Sequence, residues 1–554
     1  MNHSLAKPSC LAASVSSVVL VLALVFAPVA AGEPLCVDPQ NPQYFLRGTS
    51  TIALVGYSAE FICHIPMPNH IGDFCTYEAA GQNIVGHKDY INDLAAKGLN
   101  VFRLWIVLNH SPGSEPVNGG TPYANEQPFH RNAQGKWSVS PGQWDAMFFS
   151  HIYDVVSYAA SKNVYVEVTL FDPWQGTWEL GPWHQNNIVN GTGFSNERDF
   201  ITLPPGGTCA NSFASGPRKR QVDVVKKLAD TLNPLDNFYW EIANEPDISA
   251  SNPATGSEVA AWHDCMIQEL YNYEGTLPNG RHMIGVNYHT IDAINTIKNN
   301  TYPVSSPKVK VMNAHYVDFA DASRQGAIEL IRNYNNGPSG NLNRLFGFNE
   351  THISPNITAG QNADTTRAEA WEFMFHEGGV YNHMGFRWNT STEAATVRTQ
   401  LGKLATYLNG RDLMRMKRST GNPPSWAPGL PAYGSNDQPT NPNSPRIYWA
   451  AMEGPNHRLL YLHHSTWLGG AFKHYGKPAS ITRLTQLMVS LPADNYQVVW
   501  IRPSDLAVLG TSSISGGTQT LTVPSYSYDI SLRIIPSVLS VVSRSCHITC
   551  CAAY

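Results

Sequence analysis

A chain of 554 residues is too long for one hydrophobic core, and its length fits a barrel of roughly 350 to 400 residues with a smaller module attached. With 37 Lys and Arg against 42 Asp and Glu, a net charge of −5 and no basic run, it lacks the electrostatics of a nucleic-acid binder or of a polybasic membrane patch. Its 14 Trp and 25 Tyr suit sugar-stacking platforms and a large barrel with bulky loops equally well.

Residues 1–31 read as a signal peptide: Lys7 supplies the positive charge, Val18 to Val29 the apolar core, and Val29-Ala30-Ala31 the small-residue cleavage site. The apolar stretch is shorter than the roughly 20 residues of a spanning helix, although counting it from Leu11 leaves an uncleaved anchor as the alternative. Cleavage near Gly32 implies a secreted or periplasmic protein, with no membrane attachment thereafter, and makes its cysteines disulfide candidates. Cys63 and Cys75 close the shortest loop in the catalytic half and form the best pair on proximity, while the tail carries Cys546, Cys550 and Cys551. Asn-x-Ser/Thr triplets occur at Asn109, Asn190, Asn299, Asn349, Asn356 and Asn389; three fall at strand ends that would face a pocket, so they read as chance.

From residue 32 to 417, strand-like apolar runs alternate with helical patterns. Strands are expected at Ile52–Val55, Val101–Leu108, Val164–Leu170, Phe238–Glu245, Met283–Tyr288, Val309–Ala314, Leu345–Glu350 and Met384–Trp388. Between the first two, Tyr90, Ile91, Leu94 and Ala95 show helical spacing that Gly98 stops; Trp144, Met147, Phe148, Ile152 and Val155 repeat it before the third. Eight strands with intervening helices predict an α/β fold, a (β/α)8 TIM barrel with its active site at the C-terminal strand ends. A flat doubly wound sheet is the alternative, but no glycine-rich phosphate loop follows the first strand. Residues 418–445 are Pro- and Gly-rich and read as a boundary. Residues 446–536 carry short strand patterns with little helical period, which predicts a small all-β sandwich, and 537–554 have no readable structure.

Two of the expected strands end in glutamate. Trp240-Glu241-Ile242-Ala243-Asn244-Glu245-Pro246 closes the fourth, and Leu345-Phe346-Gly347-Phe348-Asn349-Glu350 closes the seventh. Paired carboxylates at neighbouring strand ends suit cleavage of a glycosidic bond with retention, which needs an acid and a nucleophile roughly 5 to 5.5 Å apart. At these motifs the chain resembles the retaining (β/α)8 glycoside hydrolases of the clan that contains the cellulase family, glycoside hydrolase family 5. The resemblance implies Glu245 as acid/base and Glu350 as nucleophile, with Asn244 on the sugar hydroxyl beside the anomeric carbon. Arg103 in Val101-Phe102-Arg103-Leu104-Trp105 matches the family's arginine, His315 and Tyr316 its histidine and tyrosine, and Trp388 its strand-eight tryptophan. The family pattern usually separates that His and Tyr by one residue. Here they are adjacent, and adjacent strand residues point to opposite faces.

The segment after the third strand contains Gly181-Pro182-Trp183-His184-Gln185-Asn186-Asn187, where Trp183, His184 and Asn187 are candidates for a cleft wall: rings stack on sugars and amides read hydroxyls. No metal motif and no serine nucleophile elbow is present, so no cofactor is expected. The expected function is a retaining β-glycoside hydrolase acting as a monomer on a β-linked carbohydrate. A non-catalytic carbohydrate-binding barrel and a transglycosylase using the same residues are the rivals.

Overall fold

The computed structural model describes residues 35–58, 62–63, 75–77, 84–106, 128–140, 142–173, 181–246, 256–288, 306–315, 344–351, 362–384, 392–455, 457–466 and 475–537. Eight parallel strands close a barrel in chain order: β1 (Leu54–Ser58), β2 (Val101–Trp105), β3 (Tyr165–Phe171), β4 (Phe238–Ala243), β5 (Ile284–Tyr288), β6 (Val309–His315), β7 (Leu345–Glu350) and β8 (Val380–Met384). Around them lie α1 (His87–Lys97), α2 (Ala146–Ser161), α3 (Gly216–Leu232), α4 (Gly256–Glu274), α5 (Ala363–Phe375) and α6 (Thr392–Asn409). The expected α/β barrel is thus the fold.

Period-two alternation sorts each strand into an outer and an inner set. The outward residues are apolar, among them Phe102, Leu104, Val166, Val168, Trp240, Ile242, Phe346 and Phe348, and they join the helices in one core. The inward residues change character along the barrel axis. At the N-terminal end Leu54, Val101, Tyr165, Tyr239, Val311, Leu345 and Val380 from seven strands, with Met283 just before β5, form an apolar plug, against which Leu35, Val37 and Phe45 pack. Two residues further on stand Arg103, Glu167, Glu241, Asn313 and Asn382, with Gly56, Gly285 and Gly347 in the remaining places. Gly347 is required by crowding, since a Cβ there would lie 1.9 Å from Asn313 Oδ1. An apolar floor therefore carries a polar layer just below the catalytic face.

Beyond the barrel, β9 (Arg446–Glu453), β10 (Arg458–Ser465), β11 (Gln486–Ile501), β12 (Val508–Thr522) and β13 (Asp529–Pro536) form one antiparallel sheet in the order β9-β10-β13-β11-β12. The region is all-β, as expected from its strand patterns. The Pro-rich segment belongs to it: the short strands Lys417–Arg418 and Ser435–Asn436 both pair with β9, and Trp426, Leu430 and Tyr433 sit in the sheet's core.

Two strand positions differ from expectation. The last barrel strand is Val380–Met384, four residues before the expected start at Met384, because Asn382 on its inner face and His383 on its outer face beside Tyr57 break the apolar run. The first is Leu54–Ser58 instead of Ile52–Val55; Gly56 and Ser58 look like a turn, yet a Cβ at Gly56 would meet Val101 O at 2.0 Å, so the glycine serves a close strand contact. Met147, counted on the apolar face of α2, is 50% exposed, while Phe148, Ile152 and Val155 are buried as expected. The backbone register sets Cys63 opposite Cys75, whose side chains lie outside the description. Sequence reading had not paired Cys209 with Cys265, which form a disulfide between a short helix (Cys209–Ser212) and α4. Among the described residues no helix is long and apolar enough to cross a membrane.

Candidate active site

Glu245 and Glu350 meet at the C-terminal end of the barrel, and both are buried. Glu245, His315 and Glu350 each present one atom, carboxylate oxygen or ring nitrogen, and these lie within 4.8 Å of one another. His315 sits between the acids: its Nδ1 is 2.6 Å from Glu245 Oε1 and 3.3 Å from Glu350 Oε2. A register shift between Ala314 and His315 pairs His315 with Glu350, where unbroken pairing would have given Asn349. Burial alone would lower the pKa of His315, but Glu350 and then Glu245 outweigh it and raise it, which favours the imidazolium.

Arg103 reaches Glu350 from the other side, Nη1 donating to Oε1 at 2.5 Å. Its Nη2 donates to Asn244 Oδ1 at 2.8 Å, so the Asn244 amide nitrogen remains the donor end of that side chain. The guanidinium lies 4.2 Å over the Trp105 ring. Two carboxylates at this spacing, one clamped by a fixed cation and the other hydrogen-bonded to a histidine, have the geometry that acid and nucleophile chemistry requires.

Residues 66–339 match the family model described as cellulase, glycosyl hydrolase family 5. A crystal structure of a glycoside hydrolase family 5 protein from Bacteroides vulgatus aligns with TM-score 0.57 at 12% identity, covering 92% of this chain and 94% of that one. The chain is glycoside hydrolase family 5-like. A second structure, described as a glycoside hydrolase, aligns with TM-score 0.55 at 12% identity over 92% of this chain and 98% of that chain. That coverage takes the shared fold past the barrel into the C-terminal sheet. No curated protein matches the chain in sequence. The family match supports glycosidase chemistry for this family 5-like barrel.

Beneath the two glutamates lies a layer that sequence reading missed. Arg103 Nε donates to Glu241 Oε1 at 2.8 Å and to Thr169 Oγ1 at 3.0 Å, and Nη2 also contacts Glu241. The amide of Asn313 donates to Glu167 Oε1 at 2.5 Å and to Glu241 Oε2 at 2.9 Å; that of Asn349 donates to the same two oxygens at 2.9 and 2.8 Å. Glu167 and Glu241 are both fully buried. Burial raises the pKa of Glu167, and the charge of Glu241 raises it further, well above the ordinary carboxylate range. Burial pushes Glu241 the same way, but Arg103 overcomes it and holds that group below the usual range. One carboxyl is therefore protonated and the other ionised. The available signal was the period-two recurrence of polar residues within apolar strands: Val101-x-Arg103, Tyr165-x-Glu167, Tyr239-x-Glu241 and Val311-x-Asn313.

Of the other expected site residues, Tyr316 and Trp388 lie outside the described residues. Trp183 corrects its expected place: it is 2% exposed, packed against Phe129, Phe171 and Phe200, and offers no open ring face to a sugar. His184 Nδ1 accepts from Asn186 N at 3.2 Å and Asn187 Nδ2 donates to Gly181 O at 3.1 Å, so both help shape the turn they occupy. Asn349 lies fully inside the barrel, which makes its glycosylation triplet a coincidence.

Proposed function

We propose that the chain is an exported retaining β-glycoside hydrolase that cleaves a β-linked oligo- or polysaccharide by double displacement. The observation that carries this reading is the approach of Glu245, His315 and Glu350 to within 4.8 Å, close to the separation a retaining pair needs and shorter than the roughly 6.5 to 9.5 Å of inverting pairs. Glu245 protonates the departing glycosidic oxygen while a Glu350 oxygen attacks the anomeric carbon. The C–O bond to the leaving sugar breaks, and an ester to Glu350 forms. Glu245, now ionised, takes a proton from water, which opens the ester and restores both groups. Arg103 fixes the direction of the Glu350 carboxylate, and the Asn244 amide donates to the hydroxyl beside the reacting carbon.

The stereochemistry of early product tests this. Proton NMR should show the β-anomer first; inversion would overturn the reading. Glu350→Ala should abolish turnover of every substrate, with added azide giving the α-glycosyl azide. Glu245→Ala should keep its first step on activated aryl glycosides, stall at the second, and give the β-azide. Exchanged azide products would reverse the two roles. Product analysis with excess acceptor sugar separates hydrolysis from transglycosylation, and a panel of β-linked polysaccharides identifies the substrate. Export predicts a mature N-terminus near Gly32, which sequencing of secreted protein would show; Met1 on secreted material would refute it.

A further inference from the structure

Glu245 adopts a backbone torsion that its residue type resists. Its φ is +40°, in the left-handed region where the Cβ crowds the backbone, and Pro246 after it restricts the choice further toward extended conformations. Such a conformation persists only where its surroundings hold it. Asn244 N–H donates to Phe171 O at 2.8 Å on one side. Glu245 N–H donates to Asn287 Oδ1 at 2.6 Å on the other. Asn287 stands on β5, wholly buried and paired in register with Asn313, one residue before the strand ends. Its side chain thus reaches across from the neighbouring strand to the main chain of the residue that carries the acid.

We propose that Asn287 is a positioning residue for the acid/base: its side-chain oxygen holds the Glu245 main chain in the left-handed turn that sets the carboxyl against His315 and Glu350. Asn287 acts through Glu245 and touches no reacting atom. An aliphatic residue there would leave a buried N–H without its acceptor, and the turn would relax toward the conformation the following proline favours. A displaced acid loses proton transfer to the leaving group but leaves attack by Glu350 intact. The damage should therefore scale with how much acid help a leaving group needs.

The proposal rests on Glu245 being the acid/base, so Asn287→Ala, Asn287→Asp and Glu245→Ala are compared with wild type on aryl β-glycosides of one sugar, from dinitrophenyl to phenyl. In Asn287→Ala, kcat/KM should fall about tenfold or more for the phenyl glycoside and less than about threefold for the dinitrophenyl one. Asn287→Asp keeps an oxygen acceptor and should restore the flat leaving-group dependence, while its added charge moves the basic limb of the pH profile upward. Equal losses on all substrates, or a folded Asn287→Asp as sensitive to the leaving group as Asn287→Ala, would overturn the proposal. If Glu245→Ala is itself insensitive to the leaving group, the acid/base reading fails and takes this proposal with it. If Glu245→Ala is sensitive and Asn287→Ala is not, this proposal alone fails. Should Asn287→Ala not fold, Asn287→Ser, whose hydroxyl reaches less far, replaces it under the same criterion.

Discussion

Inside the barrel one guanidinium faces three carboxyl groups, and its contacts decide which member of the Glu167–Glu241 pair keeps a proton. Of the buried pair Glu167 and Glu241, Arg103 bonds only Glu241, so Glu167 is the one that stays protonated. The consequence for stability has a definite sign. Because the folded pKa of Glu167 is raised, its contribution is intact below the unfolded value of 4.5 and is lost as pH rises above it, where the unfolded chain ionises and the folded one does not. Glu167→Gln, which copies the protonated acid, should therefore raise the melting temperature at pH 7, with the gain disappearing below about pH 4. A pH-independent change in calorimetry would show that Glu167 is ionised. Glu241→Gln should act oppositely: it leaves a buried guanidinium short of a partner and should destabilise by about 3–5 kcal/mol. Its turnover should fall as well, because Arg103 loses the anchor that aims it at Glu350. The glutamates at the strand ends were legible in the sequence, since Asn244-Glu245-Pro246 and Asn349-Glu350 interrupt apolar runs. Glu167 and Glu241 were not, because a charged residue flanked by Val, or by Trp and Ile, reads as one outlier within a buried strand until the same phase is noticed on its neighbours.

At the scale of the element, strand type was legible and strand phase was not. Every barrel strand falls on or beside an expected run, because a strand covered on both faces needs apolar residues outward. The eighth was shifted because Asn382 on its inner face and His383 on its outer face interrupt the apolar run, so two polar residues erase the pattern that marks the strand. Close strand contacts hide in the same way. Gly347 stands inside an expected strand, where it makes room for Asn313; Gly347→Ala would place a Cβ 1.9 Å from Asn313 Oδ1 and 2.7 Å from Val380 Cγ1. It should cost about 2 kcal/mol or more in denaturant unfolding and lower turnover by moving Asn313 off the carboxyl pair. An unchanged midpoint would mean that the barrel expands there freely. The Cys209–Cys265 disulfide ties the segment after β3 to α4 across 56 residues. Cys265→Ser should lower stability by about 2–4 kcal/mol through the longer loop freed in the unfolded chain, and a smaller loss would mean that the segment is held by its packing alone.

For the whole molecule, the question is whether the C-terminal sheet is a detachable module or part of the barrel's support. A composition break at 418–445 suggests a linker, but those residues pair with β9 and fill the sheet's core, so no free linker separates the two. The deciding element is α5. Nearly every residue from Ala363 to Phe375 is buried, a pattern impossible for a barrel helix with one face in water, because the sheet covers its outer side. The contact is ionic as well as apolar: Arg367 Nε and Nη2 bond the two Asp529 oxygens at 2.7 and 2.9 Å, and Glu372 Oε2 lies 3.1 Å from His463 Nε2. Trp371 packs its ring 5.3 Å from that of Tyr461. Removing the sheet would expose this apolar face, take Asp529 from Arg367 while leaving it Asp364 and Gln400, and take both His463 and Tyr433 from Glu372. A chain ending at Gly410 should therefore be insoluble or inactive, whereas a barrel with an independent sugar-binding appendage would keep full activity on soluble substrates. In the complete chain Asp529→Leu should destabilise by about 3–5 kcal/mol, and the double variant Arg367→Met with Asp529→Leu should recover much of that loss, because both buried charges are then gone. Additive losses in that cycle, together with an active barrel ending at Gly410, would show that the sheet does not support the catalytic domain.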